Sequence, residues 1–460
     1  MVHKLVSLLP ALVLSFSVLG QTLTMQQALE EGLRNYGSVK SKKYTVEASR
    51  ASASAISKDY LPNVVLSAQQ VYGTINGQNG PAYGFGGFGV ASSGLPLNEQ
   101  NWNAAFGALY LANFNWEFFT FGKVRGRIEV AKANEAISVE DLAQEEFQHQ
   151  VRVAAAYLNV LASQRLRSAQ QKNLDRATVF QRSVVARART GLIAGVDSSL
   201  ANAEVSNAKI ALTRAIDLVQ QESQKLAVLL ATPGRDYFLD STFVNRVPSF
   251  GVPRESAPVV HPVLRFYRSR VDYNLEQSKL VQKLYYPSLT LVGVLQKRAS
   301  GFEAAYVQDQ TAFTHSYIDG ITPTRTNYLV GVGLTWNLTS LTRNFSQAKS
   351  AKATVLASQA EYDLKQQELA GQLAIAEQKL ANALAIYNEA PIQVLSATNA
   401  FEQKNALYKN GLSTIVEVTQ TLYTLNRAET DRDLAYINVW QALLMKAAAV
   451  GDLTLFTKEL

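Results

Sequence analysis

The sequence predicts a mainly helical chain with a small β part, in which one helix-strand-strand-helix unit is used twice. Three observations lead there. The run from Arg127 to Thr190 holds 64 residues without a glycine or proline. As one helix it would be about 95 Å long at about 1.5 Å per residue, far beyond the few turns of an ordinary globular helix. Two shorter segments carry period-two patterning that gathers their aromatic residues on one face. Landmarks also recur at equal spacing: Trp116 to Gly191 and Trp336 to Gly411 both span 75 residues, and Gly37 to Pro62 and Pro262 to Pro287 both span 25. Fixed-period self-similarity of this kind marks one structural unit present twice.

Composition narrows the classes. Of 460 residues, 18% are charged, and the net charge of +7 is scattered along helical stretches. With no clustered basic stripe, nucleic acid is not an expected partner. Cysteine is absent, which excludes disulfides, thiolate metal sites, a cysteine nucleophile and a lipid-bearing N-terminal cysteine. Beyond the N-terminus no apolar run reaches the roughly 20 residues of a membrane-spanning helix. Residues 1–20 read as a signal peptide: Lys4 supplies positive charge, Leu5 to Leu19 the apolar segment, and Ser17, Val18, Leu19 and Gly20 a small-residue cleavage site. The mature chain then begins near Gln21; a buried first helix is the alternative.

The first repeat covers 21–240. Thr24 to Asp59 reads as a helix with Thr24 as N-cap, ended by Pro62. A strand follows at about 61–72, then a loop rich in Gly, Asn, Ser and Pro from Gly73 to Asn101. The strand at about 103–118 carries Phe106, Ala108, Tyr110, Ala112, Phe114, Trp116 and Phe118 on one face. Ala105, Gly107, Leu109, Leu111, Asn113, Asn115 and Glu117 share the other. An aromatic face of this kind fits a lipid-facing barrel strand or the core side of a soluble sandwich. The long helix, about 123–190, bears Phe147, Val151, Ala154, Leu158 and Leu161 at spacings of 4 and 3, a coiled-coil seam. Gly191 turns the chain into a second helix from about Asp197 to Ala231. A linker at 241–256 follows, within a proline-bearing stretch.

The second repeat covers 257–455. It reads as a helix from Val263 to Tyr285, a strand at about 287–296, and a polar loop from Lys297 to Thr326. The strand at about 327–338 sets Tyr328, Val330, Val332, Leu334 and Trp336 against Asn327, Gly331, Gly333, Thr335 and Asn337. A long helix at about 342–410 contains Gly371 and Pro391; its seam is Leu369, Leu373, Ala376, Leu380, Ala383 and Tyr387. Gly411 turns it into a returning helix from Thr414 to Leu453, and 456–460 reads as a tail. In each half the two shorter helices, end to end, match the long one, which predicts long coiled hairpins.

Four strands cannot close a barrel alone, and lipid tolerates no open sheet edge. Copies of the chain must complete it, and three copies give twelve strands, an even number as bacterial outer-membrane barrels have. Phe106, Tyr110, Phe114, Trp116, Tyr328 and Trp336 would then face lipid. No chemistry competes with this reading. His3, His149, His261 and His315 are not paired at metal spacing. There is no phosphate-cradling loop and no nucleophile elbow, and Glu145 and Glu146 read as solvated helix charges. Neither an enzyme nor a cofactor or metal is expected.

The order of elements, with Leu61 and Pro62, the segment Trp116 to Lys123, Gly191 and Leu192, Pro262, Tyr286 and Pro287, and the segment Tyr408 to Glu417, resembles the TolC family of outer-membrane efflux proteins over essentially the whole mature chain. The resemblance implies a homotrimer with a β-barrel in outer-membrane lipid and a helical tunnel (an α-barrel) across the periplasm. Such a channel is the exit of a tripartite efflux or type I secretion system. It docks to a periplasmic adaptor (membrane fusion) protein and an inner-membrane transporter of RND, ABC or MFS type. It further implies an aperture at Asp197, Tyr408, Ser413, Glu417 and Gln420, and adaptor-facing turns at Gly191-Leu192 and Gly411-Leu412. In the best-known member an arginine stands where Ser413 stands and a second acid where Gln420 stands, so the arginine-centred link and one acidic ring are missing here. Three copies of Glu417 would still form a carboxylate ring, a device for cation selectivity. The plainer readings are acids suited to a helix N-terminus and glycines that end helices. The rival reading of the whole chain is a soluble periplasmic coiled-coil scaffold or adaptor.

Overall fold

The computed structural model describes residues 22–77, 95–240, 243, 246–248 and 260–459. The expected signal peptide, the centre of the loop after the first strand and most of the linker lie outside these residues. The elements are α1 (Met25–Asn35), α2 (Gly37–Ser57), β1 (Asn63–Thr74), β2 (Ala104–Phe119), α3 (Lys123–Arg189), α4 (Gly195–Leu230), α5 (Pro262–Lys283), β3 (Ser288–Ser300), α6 (Tyr317–Ile321), β4 (Arg325–Thr335), α7 (Ser340–Lys409), α8 (Ile415–Val450) and α9 (Thr454–Thr457). They fall into two compact units, each drawing on both halves of the sequence. One takes the described parts of Met1–Glu47, Ala136–Arg270 and Gln359–Leu460; the other takes Ala48–Glu135 and Val271–Ser358.

The first unit is helical. Its core joins Val153, Tyr157, Leu158 and Leu161 of α3 to Leu226 and Leu230 of α4 and to Ile437, Trp440 and Leu444 of α8. The α3 seam read from the 4-and-3 spacing faces this core, with Ala154, Leu158 and Leu161 buried in it and Phe147 and Val151 against it. On α7, Ala376, Leu380 and Ala383 are likewise buried. The helices α3 and α7 run 67 and 70 residues. Pro391 does not end α7: the buried Ala390 and Ala397 beside it belong to packing that outweighs the roughly 3 kcal/mol a mid-helix proline costs.

Expectations near the two ends of the chain are corrected. The helix foreseen from Thr24 to Asp59 is two helices. Thr24 does cap α1, with its Oγ1 accepting from the Gln27 backbone N at 3.2 Å and its own N donating to Gln27 Oε1 at 3.0 Å. But Tyr36 leaves the helix, at φ −66° and ψ 129°, to stack on buried His149 with ring centroids 3.9 Å apart. Gly32 makes room, since a Cβ there would lie 2.9 Å from Val153 Cγ2. Beyond α2 the chain adds a 3-10 turn, Lys58–Tyr60, before β1. At the other terminus the expected tail is part of the core: Phe456 is fully buried beside Phe243 and Trp440, and Trp440 Nε1 donates to the Arg246 carbonyl at 3.0 Å.

The second unit holds one antiparallel sheet in the order β1-β2-β3-β4. Its strands start or end a few residues from the expected positions. β3 runs on to Ser300. β4 stops at Thr335, and exposed Asn337 leads into α7, its Oδ1 accepting from Ser340 N at 3.2 Å and from Thr339 Oγ1 at 2.8 Å. The connection from β3 to β4, expected as a polar loop, is ordered around Phe302, Tyr306 and Phe313, with ring centroids 4.7 to 6.0 Å apart, and includes α6.

Candidate channel surfaces

The sheet is two-faced because its register keeps each alternating set together. Tyr110 lies opposite Ala68 on β1 and Lys297 on β3, and Phe114 lies opposite Val64 and Gly293. On β3, Leu291, Gly293 and Leu295 lie opposite Val332, Val330 and Tyr328 of β4. Direct cross-strand partners share a face, so the aromatic set of β2 and the Tyr328 set of β4 lie on one side. The opposite side is mixed: Ser67, Asn113, Asn115, Gln296 and Asn327 sit among Leu111, Val294 and Leu329. The apolar side is bare: Leu66, Tyr328 and Val330 are 79%, 83% and 72% exposed.

The two halves also make the same anchoring contact. Trp116 Nε1 donates to the Tyr60 carbonyl at 2.8 Å, and Trp336 Nε1 donates to the Tyr285 carbonyl at 3.0 Å. Each tryptophan thereby marks the helix end of its strand. From Trp116 to Phe106 is ten residues, about 33 Å at about 3.3 Å per residue. Tilted by about 40°, that span is close to the roughly 25 Å apolar band of a membrane barrel. Two of the expected lipid-facing aromatics are partly covered at the loop end. The Phe106 ring lies 5.1 Å from Tyr317 and 4.7 Å from Tyr72. A Cβ at Gly320 would fall 2.4 Å from Phe106 Cβ, so α6 can lie there only with glycine at that position. Tyr110 Oη accepts from Gln70 Nε2 at 3.1 Å and donates to the Ile321 carbonyl at 3.3 Å. Phe114, Trp116, Tyr328 and Trp336 are not under α6.

The turns between the long and returning helices match in detail. Gly191 and Gly411 have φ of 73° and 75°, which glycine adopts freely. Leu192 N donates to the Arg187 carbonyl at 3.0 Å, and Leu412 N to the Leu407 carbonyl at 2.9 Å, the helix-ending pattern expected of such glycines. Leu192 and Leu412 are both exposed.

Beside the turns lies a cluster of Phe180, Val184, Ala201, Tyr408, Ile415 and Val418. Tyr408 on α7 is held from two sides. Its Oη donates to Asp197 Oδ2 at the start of α4, at 3.3 Å. Its carbonyl accepts from Arg187 Nη1 near the end of α3, at 3.2 Å, and the Arg187 guanidinium sits 5.5 Å from its ring centre. Burial, then the Asp197 charge, pushes the Tyr408 phenol above its ordinary range. Glu417 is engaged as well. Its carboxylate accepts from Ser413 Oγ and pairs with Lys404 Nζ at 3.0 Å. Those two donors, Ser413 first, hold its carboxyl below the usual range. Its backbone N donates to Thr414 Oγ1 at 3.4 Å, so it also occupies the capped first turn of α8. Gln420 is exposed one turn further on.

Sequence reasoning missed Arg187 and Lys404. Basic residues in the last turns of helices look like ordinary partners of the helix dipole, and only the packing of α7 between α3 and α8 shows what they hold. Ser413 does not leave its position idle, since it binds Glu417 directly.

A sheet with one apolar, aromatic face, a more polar opposite face and two open edges, joined to helices that end in matched glycine turns, defines a channel-forming outer-membrane protein. The chain belongs to the outer membrane efflux protein family, whose model matches residues 28–232 and 256–444. It is an outer-membrane efflux channel. Solved structures of similar fold include the outer membrane protein VceC from Vibrio cholerae, at 15% identity and a TM-score of 0.74 over 93% of this chain and 96% of that one. The CmeC outer membrane channel of Campylobacter jejuni is similar at 13% identity and 0.76, covering 93% and 85%. The MtrE outer membrane channel of Neisseria gonorrhoeae, in its open state, is similar at 17% and 0.70, covering 93% and 89%. Among curated protein sequences there is no match.

Proposed function

We propose that three copies of this chain close a twelve-stranded barrel and form the exit duct of a tripartite pump. The observation that carries this is the sheet itself: its apolar side is bare outside the loop end that α6 covers, and β1 and β4 each have a partner on one side only. Lipid forbids such edges, and pairing β4 of one copy with β1 of the next removes them all. The helices would form the tunnel in the periplasm. The exposed Leu192 and Leu412 turns would meet a periplasmic adaptor, and an inner-membrane transporter of RND, ABC or MFS type would supply the energy; a type I secretion system is the alternative setting.

The aperture would be closed by Asp197 and Tyr408, with Arg187 holding the Tyr408 backbone. It would open as the α7-α8 hairpin untwists away from α3 and α4. Ser413 and Lys404 temper Glu417, so the carboxylate ring is partly charge-balanced while closed. Gln420 adds hydrogen-bonding capacity and no charge. The test is a gel of detergent-extracted protein: a trimer-sized band that collapses on heating is expected, and a water-soluble monomer refutes the assembly. Crosslinking in cell envelopes, read by mass spectrometry, should recover an adaptor on peptides carrying Leu192 or Leu412.

A further inference from the structure

The helix between β3 and β4 lies on the aromatic side of the sheet. α6 sits over Phe106, whose ring is 5.1 Å from that of Tyr317, and its Ile321 carbonyl accepts from the Tyr110 hydroxyl at 3.3 Å. The Tyr317 hydroxyl donates to Gln70 Oε1 at 2.7 Å, and Gln70, directly opposite Ala108, belongs to the same side. Ala108, between the residues that α6 touches, is buried together with its partner Ala299. Gly320 is buried where α6 meets the sheet. The surface left open on α6 is apolar at Tyr317 and Ile318, which are 48% and 70% exposed.

The strands set the depth of this helix. The outward apolar set of β4 runs from Trp336, just past the strand's end, to Tyr328, eight residues away. That is about 26 Å of strand at about 3.3 Å per residue, or about 20 Å in height at a tilt of about 40°. The next rung on that side is polar, with Lys297 opposite both Thr326 and Tyr110. Lysine is costly at the bilayer midplane and suits its boundary, where the long side chain reaches the headgroups. Because α6 bonds to Tyr110 and covers Phe106, it stands at that boundary and beyond it. Glu303, Asp309 and Asp319 of the same connection are exposed, which suits a watery headgroup layer and not hydrocarbon.

We infer that α6 is a foot on the membrane: Tyr317 and Ile318 rest in the headgroup layer of the outer leaflet, outside the barrel wall. This rests on the reading above, in which the aromatic side of the sheet faces lipid. The partner is a lipid surface, met by an amphipathic contact in which apolar groups enter the interface and the acids stay in water. The contact continues the lipid-facing band outward past its last aromatic rung. It fixes how deep the barrel sits, because α6 cannot sink into hydrocarbon with Asp319 on it. A helix on the lipid side of the wall leaves the lumen clear, so α6 does not roof the exit.

The experiment uses the full chain in phosphatidylcholine vesicles. The chain has no cysteine, so one introduced thiol carries a fluorophore alone. Ile318→Cys is the reporter, with Asp319→Cys, at the next exposed position, as a second. Val330→Cys marks the lipid-facing band, and Leu192→Cys marks a turn in water. Each is quenched in turn by a nitroxide on the lipid headgroup, a nitroxide deep in the acyl chain, and iodide in the buffer. At Ile318 and Asp319 the headgroup nitroxide should quench at least about twofold more than the acyl nitroxide, as expected of groups held in the interface. Iodide should quench Leu192 more than either. Val330 should respond most to the acyl nitroxide. If Val330 behaves so while Ile318 and Asp319 respond as Leu192 does, the inference is overturned and the channel reading stands. Stronger quenching of Ile318 by the acyl nitroxide also overturns it, because α6 would then lie in hydrocarbon. A Val330 label that no lipid nitroxide reaches overturns both.

Discussion

Under the proposed closure by Asp197 and Tyr408, Arg187→Gln is the change that should most directly loosen the aperture. Arg187 makes a charged hydrogen bond to the Tyr408 carbonyl at 3.2 Å and lies over its ring. Hydrogen bonds to charged groups contribute about 1.5–3 kcal/mol. This one is long for its kind, and Arg187 is only half-buried, so we take about 1 kcal/mol per chain. Opening that requires all three chains to release together would be favoured by about 3 kcal/mol, on the order of a hundredfold in the ratio of open to closed channels. Tyr408→Phe should act separately: it removes the hydroxyl that reaches Asp197 at 3.3 Å while leaving the ring and the carbonyl that Arg187 uses. The assay is open probability of single channels in planar bilayers, with the trimer confirmed on a gel. An Arg187→Gln channel that is trimeric yet opens within about twofold of the wild type would refute the reasoning.

Three further outcomes follow from the same contacts. Because Ser413 and Lys404 depress the Glu417 carboxyl, the link to Lys404 is fully present above the ordinary glutamate value of about 4.3 and is lost only as pH falls through the lower folded value. The contribution of the Glu417 ring to cation preference should therefore persist down to that value, fall only below it, and be absent in Glu417→Gln, as reversal potential against pH will show. On the sheet, Leu66→Arg places a charge on the bare apolar side and should cost about 2–4 kcal/mol. Ser67→Arg, its neighbour on the polar side, should cost little; yields of folded trimer compare the two. In the helical unit, His261 Nδ1 accepts from Val263 N at 3.1 Å, and its Nε2 lies 3.0 Å from the Ala448 carbonyl, which requires a neutral ring. Burial lowers its pKa. That part of the stability is complete above the ordinary histidine value of about 6.5 and falls as pH drops below it. The fall in Tm from pH 7.5 to 5 should be smaller in His261→Asn, which can still cap α5. Buried His149, whose pKa is also lowered by burial, contributes in the same direction.

Local signals determined a great deal. The glycine turns at 191 and 411, the cap at Thr24, the two long helices and the alternation on β2 and β4 were all legible, because each depends on residues a few positions apart. Spacing of 3.6 or 2 residues reports which face a side chain takes on its own element. It does not report which element that face meets. The tertiary structure alone decided that β3 carries the aromatic side of β2 onto Tyr328 and Val330, and that α6 covers Phe106. It also decided that Tyr36 leaves its helix for His149, that Phe456 enters the core, and that Arg187 and Lys404 hold Tyr408 and Glu417. Each of these pairs residues from 13 to more than 200 positions apart. Their meeting is set by the register of strands and the packing of helices, quantities that no short window of sequence contains.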